Sequence, residues 1–280
     1  MATVTVDRLE PGDHACLTFS DPEERLDLLA AFVAAGFSRG EKVVCYTAGA
    51  GVDALQTELR RRGVPAGETV LPSEHLWGAG AAPDSGIMVQ ALGSELTTAV
   101  QEGWRGLRIT ADMCWAAGPQ AGAEQLLPFE NEVAKLFAEA RLTAICQYDR
   151  ASFDPVTLGY AARVHSYTVA AAVYHDDPVL RICRQHVPPG VRVAGELDLG
   201  RAGALRDALA EAVRLDYDVH LNLSQLRALD AGAAGVILRA ATGLPRGRHM
   251  IVVGDARIHR TLQVAGAHDV PQLRVLMRDA

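Results

Sequence analysis

The chain has 280 residues, 49% of them hydrophobic, and a formal net charge of −7. That length suits two domains, and the apolar content is enough to bury their cores, which excludes extensive disorder. The acidic balance, with no basic run longer than Arg60-Arg61-Arg62, speaks against nucleic acid or an anionic membrane as a direct partner.

In chain order, the start Met-Ala-Thr-Val-Thr-Val-Asp7 lacks a basic region followed by an apolar core, so no secretory signal is expected. Residues 15–19 read as a short apolar strand. Ser20-Asp-Pro-Glu-Glu24 then starts a helix: Ser20 or Asp21 can cap it, Pro22 suits the first turn, and two glutamates face the positive end of the dipole. Leu26, Leu29, Ala30 and Val33 follow at helical spacing, with Gly36 and Gly40 marking the end. Next come a strand at 42–47, a helix at 52–62, a surface loop at 77–86 and a helix at 87–102. A strand at 107–112, a helix at 123–140, a strand at 142–148 and a helical stretch at 153–163 complete the series. Strands alternating with helices predict a mostly parallel sheet with helices on both faces.

A polar turn, His175-Asp-Asp-Pro178, follows, and the boundary is placed there: one domain over 1–177, a smaller α/β domain over 178–280. Residues 179–185 and 191–196, around Pro188-Pro-Gly190, predict a hairpin or two linked edge strands. A helix is expected at 201–215, a strand at 219–223, a helix at 231–241, a strand at 249–253 and a helix at 257–265. Ser224 is expected at the end of its strand. No apolar run reaches the roughly 18 residues of a membrane-spanning helix. The five cysteines (Cys16, Cys45, Cys114, Cys146, Cys183) are scattered and odd in number. That pattern predicts reduced thiols and a cytoplasmic setting.

The run Gly12-Asp-His-Ala-Cys-Leu-Thr-Phe-Ser-Asp-Pro-Glu-Glu-Arg25, with 41–46, 107–115 and Cys146-Gln-Tyr-Asp-Arg150 in order, resembles the MEDS domain, a sensory module named from methanogen, methylotroph and dichloromethane-regulator proteins. The resemblance covers about residues 9–170. It implies a RecA-like fold and the sensing of a small organic ligand, and it places His14 and Cys16 in the family motif. In the second half, Val193-Ala-Gly-Glu-Leu-Asp198, 221–226, Ile251-Val-Val-Gly254 and Leu262-Gln-Val-Ala-Gly266 match STAS domains of the anti-sigma factor antagonist family in order and spacing. That family carries Asp-Ser-Ser-Gly or Asp-Ser-Thr-Gly, with a phosphoacceptor at its second hydroxyl residue. Here the same positions read Asp230-Ala231-Gly232-Ala233. The resemblance implies a partner-facing turn without an acceptor, and as partner an anti-sigma factor or a serine kinase-type regulator.

In an open parallel sheet, ligands sit outside the carboxyl ends of the strands. Those ends carry Phe19, Ser20 and Asp21; Thr47, Ala48 and Gly49; Asp112 and Trp115; and Tyr148, Asp149 and Arg150. Aromatic rings beside a few charges suit an orienting apolar pocket. Asp21 is expected first as a helix cap, and Asp149 with Arg150 could equally form a surface pair. A P-loop would need Gly-x-x-x-x-Gly-Lys-Ser/Thr after the first strand. Phe19-Ser-Asp-Pro-Glu-Glu-Arg25 stands there instead, so nucleotide turnover is not expected, and with no Ser-His-Asp order or paired-carboxylate constellation in the chain no other enzymatic activity is expected either. Asp112 resembles a magnesium-binding carboxylate, which keeps a nucleotide- or small-molecule-binding enzyme as the alternative. His14 and Cys16 lie on one strand face by the period of two and, with Cys45, Cys114 and Cys146, raise a thiol or metal sensor. These cysteines sit among apolar residues without the close pairs of zinc sites, so packing is the expectation and no metal or other cofactor is assigned. The expected protein is a cytoplasmic signalling protein, compatible with a homodimer, that senses a small ligand and reports through its STAS-like domain.

Overall fold

A computed structural model describes residues 2–48, 51–66, 69–117 and 122–277. The chain divides into two compact units, Met1–Ala170 and Ala171–Ala280. The division precedes the turn at 175–178 because Val173–Asp176 pairs antiparallel with Leu180–Gln185 and so belongs to the second sheet.

The first unit runs β1 (Ala2–Val4), β2 (His14–Phe19), α1 (Pro22–Arg39), β3 (Lys42–Thr47), α2 (Val52–Arg61), β4 (Val70–Pro72), α3 (Ser85–Gln101), β5 (Leu107–Asp112), α4 (Gly122–Val133), β6 (Leu142–Asp149), α5 (Pro155–Val164) and β7 (Tyr167–Val169). Its seven strands form one sheet in the order β1-β7-β2-β6-β5-β3-β4. Every pairing is parallel, as the alternation of strands and helices predicted. β5 and β6 are buried along nearly their whole length, as a sheet covered on both faces requires. On one face Ile109, Ala144, Cys146 and Tyr148 pack with Met88 and Leu92 of α3 and Leu126 and Phe129 of α4. The other face meets α1.

The helix start at 20–24 behaves as its residues dictate. Asp21 caps α1 by accepting from the backbone N–H groups of Glu23 and Glu24, and Pro22 occupies the first turn. Only Gly40, left-handed at φ 72°, ends the helix. Gly36 lies inside it, where a Cβ would stand 2.6 Å from Val43 and 2.7 Å from Arg108. The missing side chain lets α1 close on the sheet. The expected helix at 123–140 is shorter: α4 ends at Val133 and a 3-10 turn covers Ala134–Phe137. Trp77, expected on a surface loop, is buried against Trp115, and the following helix begins after Asp84, which caps Ile87.

The second unit runs β8 (Val173–Asp176), β9 (Leu180–Gln185), β10 (Gly190–Leu197), α6 (Ala202–Leu215), β11 (Val219–Leu229), α7 (Ala231–Thr242), β12 (Met250–Gly254), α8 (Ala256–Val264) and β13 (Leu273–Met277). Its sheet is mixed, in the order β13-β12-β11-β10-β9-β8, antiparallel at β8-β9 and β9-β10 and parallel elsewhere. Alternate residues such as Val191, Val193, Leu221, Leu223 and Val252 face a core shared with Leu205 and Leu209 of α6, Ile237 of α7 and Leu262 of α8, the period of two that a half-covered sheet imposes. β11 continues to Leu229 instead of ending at Leu223, so Ser224 lies within the strand, at a bulge where Arg192 opposes Asn222 and Ala194 opposes Gln225. Among the described residues, no helix is long and apolar enough to cross a membrane.

Candidate functional site

At the carboxyl ends of β2, β5 and β6, a side chain from α1 occupies the position where a phosphate-binding loop would open. Arg25 donates from Nε to Gln147 Oε1 at 2.6 Å and from a terminal nitrogen to Asp112 Oδ2 at 3.0 Å. Its guanidinium also lies 4.8 Å from the centre of the Phe19 ring. Gln147 passes the network on to Thr110 Oγ1 at 2.6 Å. Asp112 therefore holds an arginine, and its other oxygen accepts from the Cys114 N–H at 3.0 Å. The N–H groups that open α1 are capped by Asp21. An anion at this helix start would meet a carboxylate instead of free donors, the opposite of what phosphate binding needs.

The other expected site residues are divided by the pleat. Ser20 is exposed and Thr47 is buried. Trp115 is half-buried, with ring centres 5.9 Å from both Trp77 and Phe129, the latter edge-on. Asp149 and Arg150 do not pair with each other. Asp149 accepts from the Ala151 N–H and the Ser152 hydroxyl, closing a turn, while Arg150 donates to Thr18 Oγ1 at 2.9 Å. Tyr148 points away from this group into the opposite face of the sheet and is fully buried. Gly49 lies outside the described residues.

Tyr148 leads to a second cluster, of which the sequence had singled out only His14 and Cys146. His14 at the start of β2, Glu130 on α4, Cys146 on β6 and His165 at the end of α5 bring one ligating atom each to within 4.8 Å of one another. All four residues are buried, with exposures of 5, 0, 4 and 3%. His14 Nε2 is 3.4 Å from Glu130 Oε2 and 3.4 Å from Cys146 Sγ, and His165 Nε2 is 3.5 Å from the same Glu130 oxygen. His14 stacks on Phe137 with ring centres 4.4 Å apart and lies 4.1 Å from His165. The Tyr148 hydroxyl donates to Glu130 Oε1. The His165 Nδ1 lies 2.7 Å from the Ala161 carbonyl oxygen. Donation there leaves the Nε2 lone pair facing the cluster.

Burial dominates the electrostatics. It holds His14 well below the usual histidine range, with the neighbouring His165 adding to the effect. Burial, then the Glu130 charge, push the Cys146 thiol and the Tyr148 phenol upward. Charged forms are costly where water is absent. Cys16, the motif neighbour of His14, faces Thr168 Oγ1 at 3.6 Å and is not one of the four converging groups. Cys45 and Cys114 do not join it either. His14 and Cys146 stood among the sequence candidates for a thiol or metal sensor; the signal left unused was Glu130, a carboxylate on the same stripe of α4 as buried Leu126, Phe129 and Val133.

In the second unit, Asp230 to Ala233 form the first turn of α7. Asp230 Oδ1 accepts from the Ala233 N–H at 2.7 Å as helix cap, and its Oδ2 accepts from the Leu199 N–H at 2.7 Å. Asp230 and Ala231 are exposed, Gly232 is half-buried and Ala233 is buried. A Cβ on Gly232 would approach the Leu199 side chain to 2.9 Å. Leu199, 66% exposed, also borders a cleft of about 520 Å³ between α6 and α7, lined by Leu209, Val213, Val236, Arg206 and Arg239.

The family described as MEthanogen/methylotroph, DcmR Sensory domain (MEDS) matches residues 13–166. The family described as Mlab, STAS domain matches residues 181–277. Among solved structures, a KaiC-like protein from the hyperthermophilic archaeon Pyrococcus horikoshii OT3 is similar at 11% identity, over 63% of this chain and 80% of that one, with a TM-score of 0.44. No curated protein sequence matches the chain.

Proposed function

The chain belongs to the MEDS family, and from that premise, with a STAS domain following, we propose that it is a signalling protein in which the first domain binds a small organic ligand and the second docks on a regulator, an anti-sigma factor or a serine kinase-type protein, without a phosphorylation relay. Both families are regulatory rather than enzymatic. The observation that carries the reading is the first turn of α7. Its backbone is capped and presented to solvent by Asp230, yet 230–235 reads Asp-Ala-Gly-Ala-Ala-Gly, with no hydroxyl to accept a phosphate. The exposed Leu199 and the adjoining cleft supply apolar area beside that turn, and contiguous apolar area is what a partner buries. Ser224, the nearest upstream hydroxyl, lies within β11 with its Oγ buried, out of a kinase's reach. Control then enters through the first domain, whose ligand must favour one state of the protein over another.

The test is to hold the full chain with a serine kinase-type anti-sigma factor, with and without ATP, and to measure complex retention together with phosphate on the peptide spanning 219–242. The expected result is a complex that survives ATP with no phosphate on that peptide. Stoichiometric phosphate there, or release driven by ATP, would sink the idea. Binding of ATP at the carboxyl ends of β2, β5 and β6 is a separate question. Arg25 and Asp21 already satisfy the groups that would hold a nucleotide, and calorimetry is expected to show no ATP binding.

A further inference from the structure

We propose that His14, Glu130, Cys146 and His165 form a closed metal site for one divalent cation of the zinc type, which clamps β2, α4, β6 and the junction of α5 with β7. Three observations meet in this cluster. The first is spacing. A tetrahedral ion with bonds of about 2.0–2.3 Å holds neighbouring ligands about 3.3–3.8 Å apart. The 3.4, 3.4 and 3.5 Å separations of His14 from Glu130 and Cys146 and of His165 from Glu130 fall in that interval, and all four ligand atoms lie within 4.8 Å of one another, so closing the tetrahedron needs shifts of at most about 1 Å. The second is unmet bonding. Glu130 Oε2 and His165 Nε2 are buried and have no hydrogen-bond partner, although an unpaired buried polar atom costs on the order of 1–3 kcal/mol. A cation at the centre satisfies both at once and engages His14 and Cys146 as well, whereas a proton between Glu130 Oε2 and His165 Nε2, 3.5 Å apart, would join only those two. The third is support from behind. Ala161 fixes the tautomer of His165 and Tyr148 holds the other oxygen of Glu130, the outer hydrogen bonds that aim metal ligands.

Donor chemistry selects the ion. Two imidazoles, one thiolate and one carboxylate suit zinc and disfavour magnesium or calcium, which prefer all-oxygen sets. One thiolate and one carboxylate also supply two negative charges, which neutralise a divalent cation in a place without water. Cys146 loses its proton to solvent as the ion enters. Four protein ligands and near-complete burial leave no open position, so the ion acts on structure, not as the point where an organic ligand coordinates. The inference does not depend on what the domain senses or on the STAS partner.

The experiment is elemental analysis of the full-length protein as purified from zinc-replete cells, followed by removal with a chelator and reloading with cobalt(II). About one equivalent per chain is expected, with the thiolate-to-cobalt absorption of a sulfur-ligated tetrahedral ion. Cys146→Ser should abolish that absorption, and Cys16→Ser, at a thiol outside the cluster, should leave it intact. Tyr148→Phe keeps every ligand and should weaken binding about 10- to 100-fold. Folded wild-type protein that takes up less than about 0.1 equivalent from excess zinc or cobalt would overturn the proposal. So would absorption that survives Cys146→Ser but not Cys16→Ser. Because the cobalt spectrum of the wild-type chain itself reports sulfur ligation, an unfolded variant does not decide the outcome.

Discussion

Glu41→Gln removes the counter-ion of a cation that has no water to turn to. Arg108 Nε donates to Glu41 Oε2 at 2.5 Å, with side-chain exposures of 0 and 5%. The guanidinium lies 4.4 Å from the Phe32 ring centre, and both its terminal nitrogens are buried without a hydrogen-bond partner. Burial draws the Arg108 pKa down, and Glu41 opposes that shift. Two unit charges about 4 Å apart at an effective dielectric constant of about 20 attract by about 4 kcal/mol. Removing one member of such a buried pair costs about 3–5 kcal/mol, because the other stays buried and charged. All three tryptophans, Trp77, Trp104 and Trp115, lie in the first unit, so tryptophan fluorescence during urea unfolding reports on that unit alone. With a slope on the order of 2 kcal/mol/M, a loss of about 3 kcal/mol moves the midpoint down by about 1.5 M. Replacing the pair together, Glu41→Leu with Arg108→Met, removes both charges and should restore most of that loss. A Glu41→Gln midpoint within about 0.3 M of wild type, or a double variant as unstable as the two single variants combined, would refute the reasoning.

Asp230→Ala strips the caps from Leu199 and Ala233. It should cost the second domain about 1–2 kcal/mol, seen as faster hydrogen exchange at those two amides with protection of β11 and β12 retained. Burial holds His220 below the ordinary histidine pKa of 6.5. Its contribution is complete above pH 6.5 and declines as pH falls toward its folded value, because the unfolded chain then binds the extra proton. His220→Gln should flatten that part of the stability profile of the second domain, and an unchanged slope would count against it. Burial pushes the Cys45 and Cys114 thiols up to about 12, leaving a thiolate fraction on the order of 1 in 10,000 at pH 8. Ellman's reagent should therefore react with neither in the native protein and with all five cysteines after denaturation. Rapid labelling of native Cys45 would contradict its burial, and rapid labelling of half-buried Cys114 would contradict the raised pKa that partial burial and the Asp112 charge give it.

Much of the fold was legible because it rests on interactions between residues close in the chain. The start of α1 follows from Asp21, Pro22 and two glutamates acting on adjacent N–H groups, and the turn at Asp230 follows from the same capping chemistry. The strands at 107–112 and 142–148 were visible as apolar runs because a sheet covered on both faces tolerates little else. The three-residue strands β1, β4 and β7 were not legible, since each exists only by hydrogen-bonding to a neighbour. Gly36 was misread as a helix end because a glycine that ends a helix and one that lets it approach a sheet look alike in sequence; only Val43 and Arg108 separate the two cases.

The sequence by itself determined two α/β domains, their order, and a turn at 230–233 without a phosphoacceptor. The tertiary structure alone decided which side chains meet. It placed Arg25 on Asp112 where a pocket for a small organic ligand was expected, and it turned Tyr148 inward to hold Glu130. It also brought His14, Glu130, Cys146 and His165 together from four separate elements. Periodicity and capping act over about four residues, whereas the register that sets His14 beside Ala144 and Cys16 beside Cys146 is a property of the assembled sheet, and no local pattern carries it.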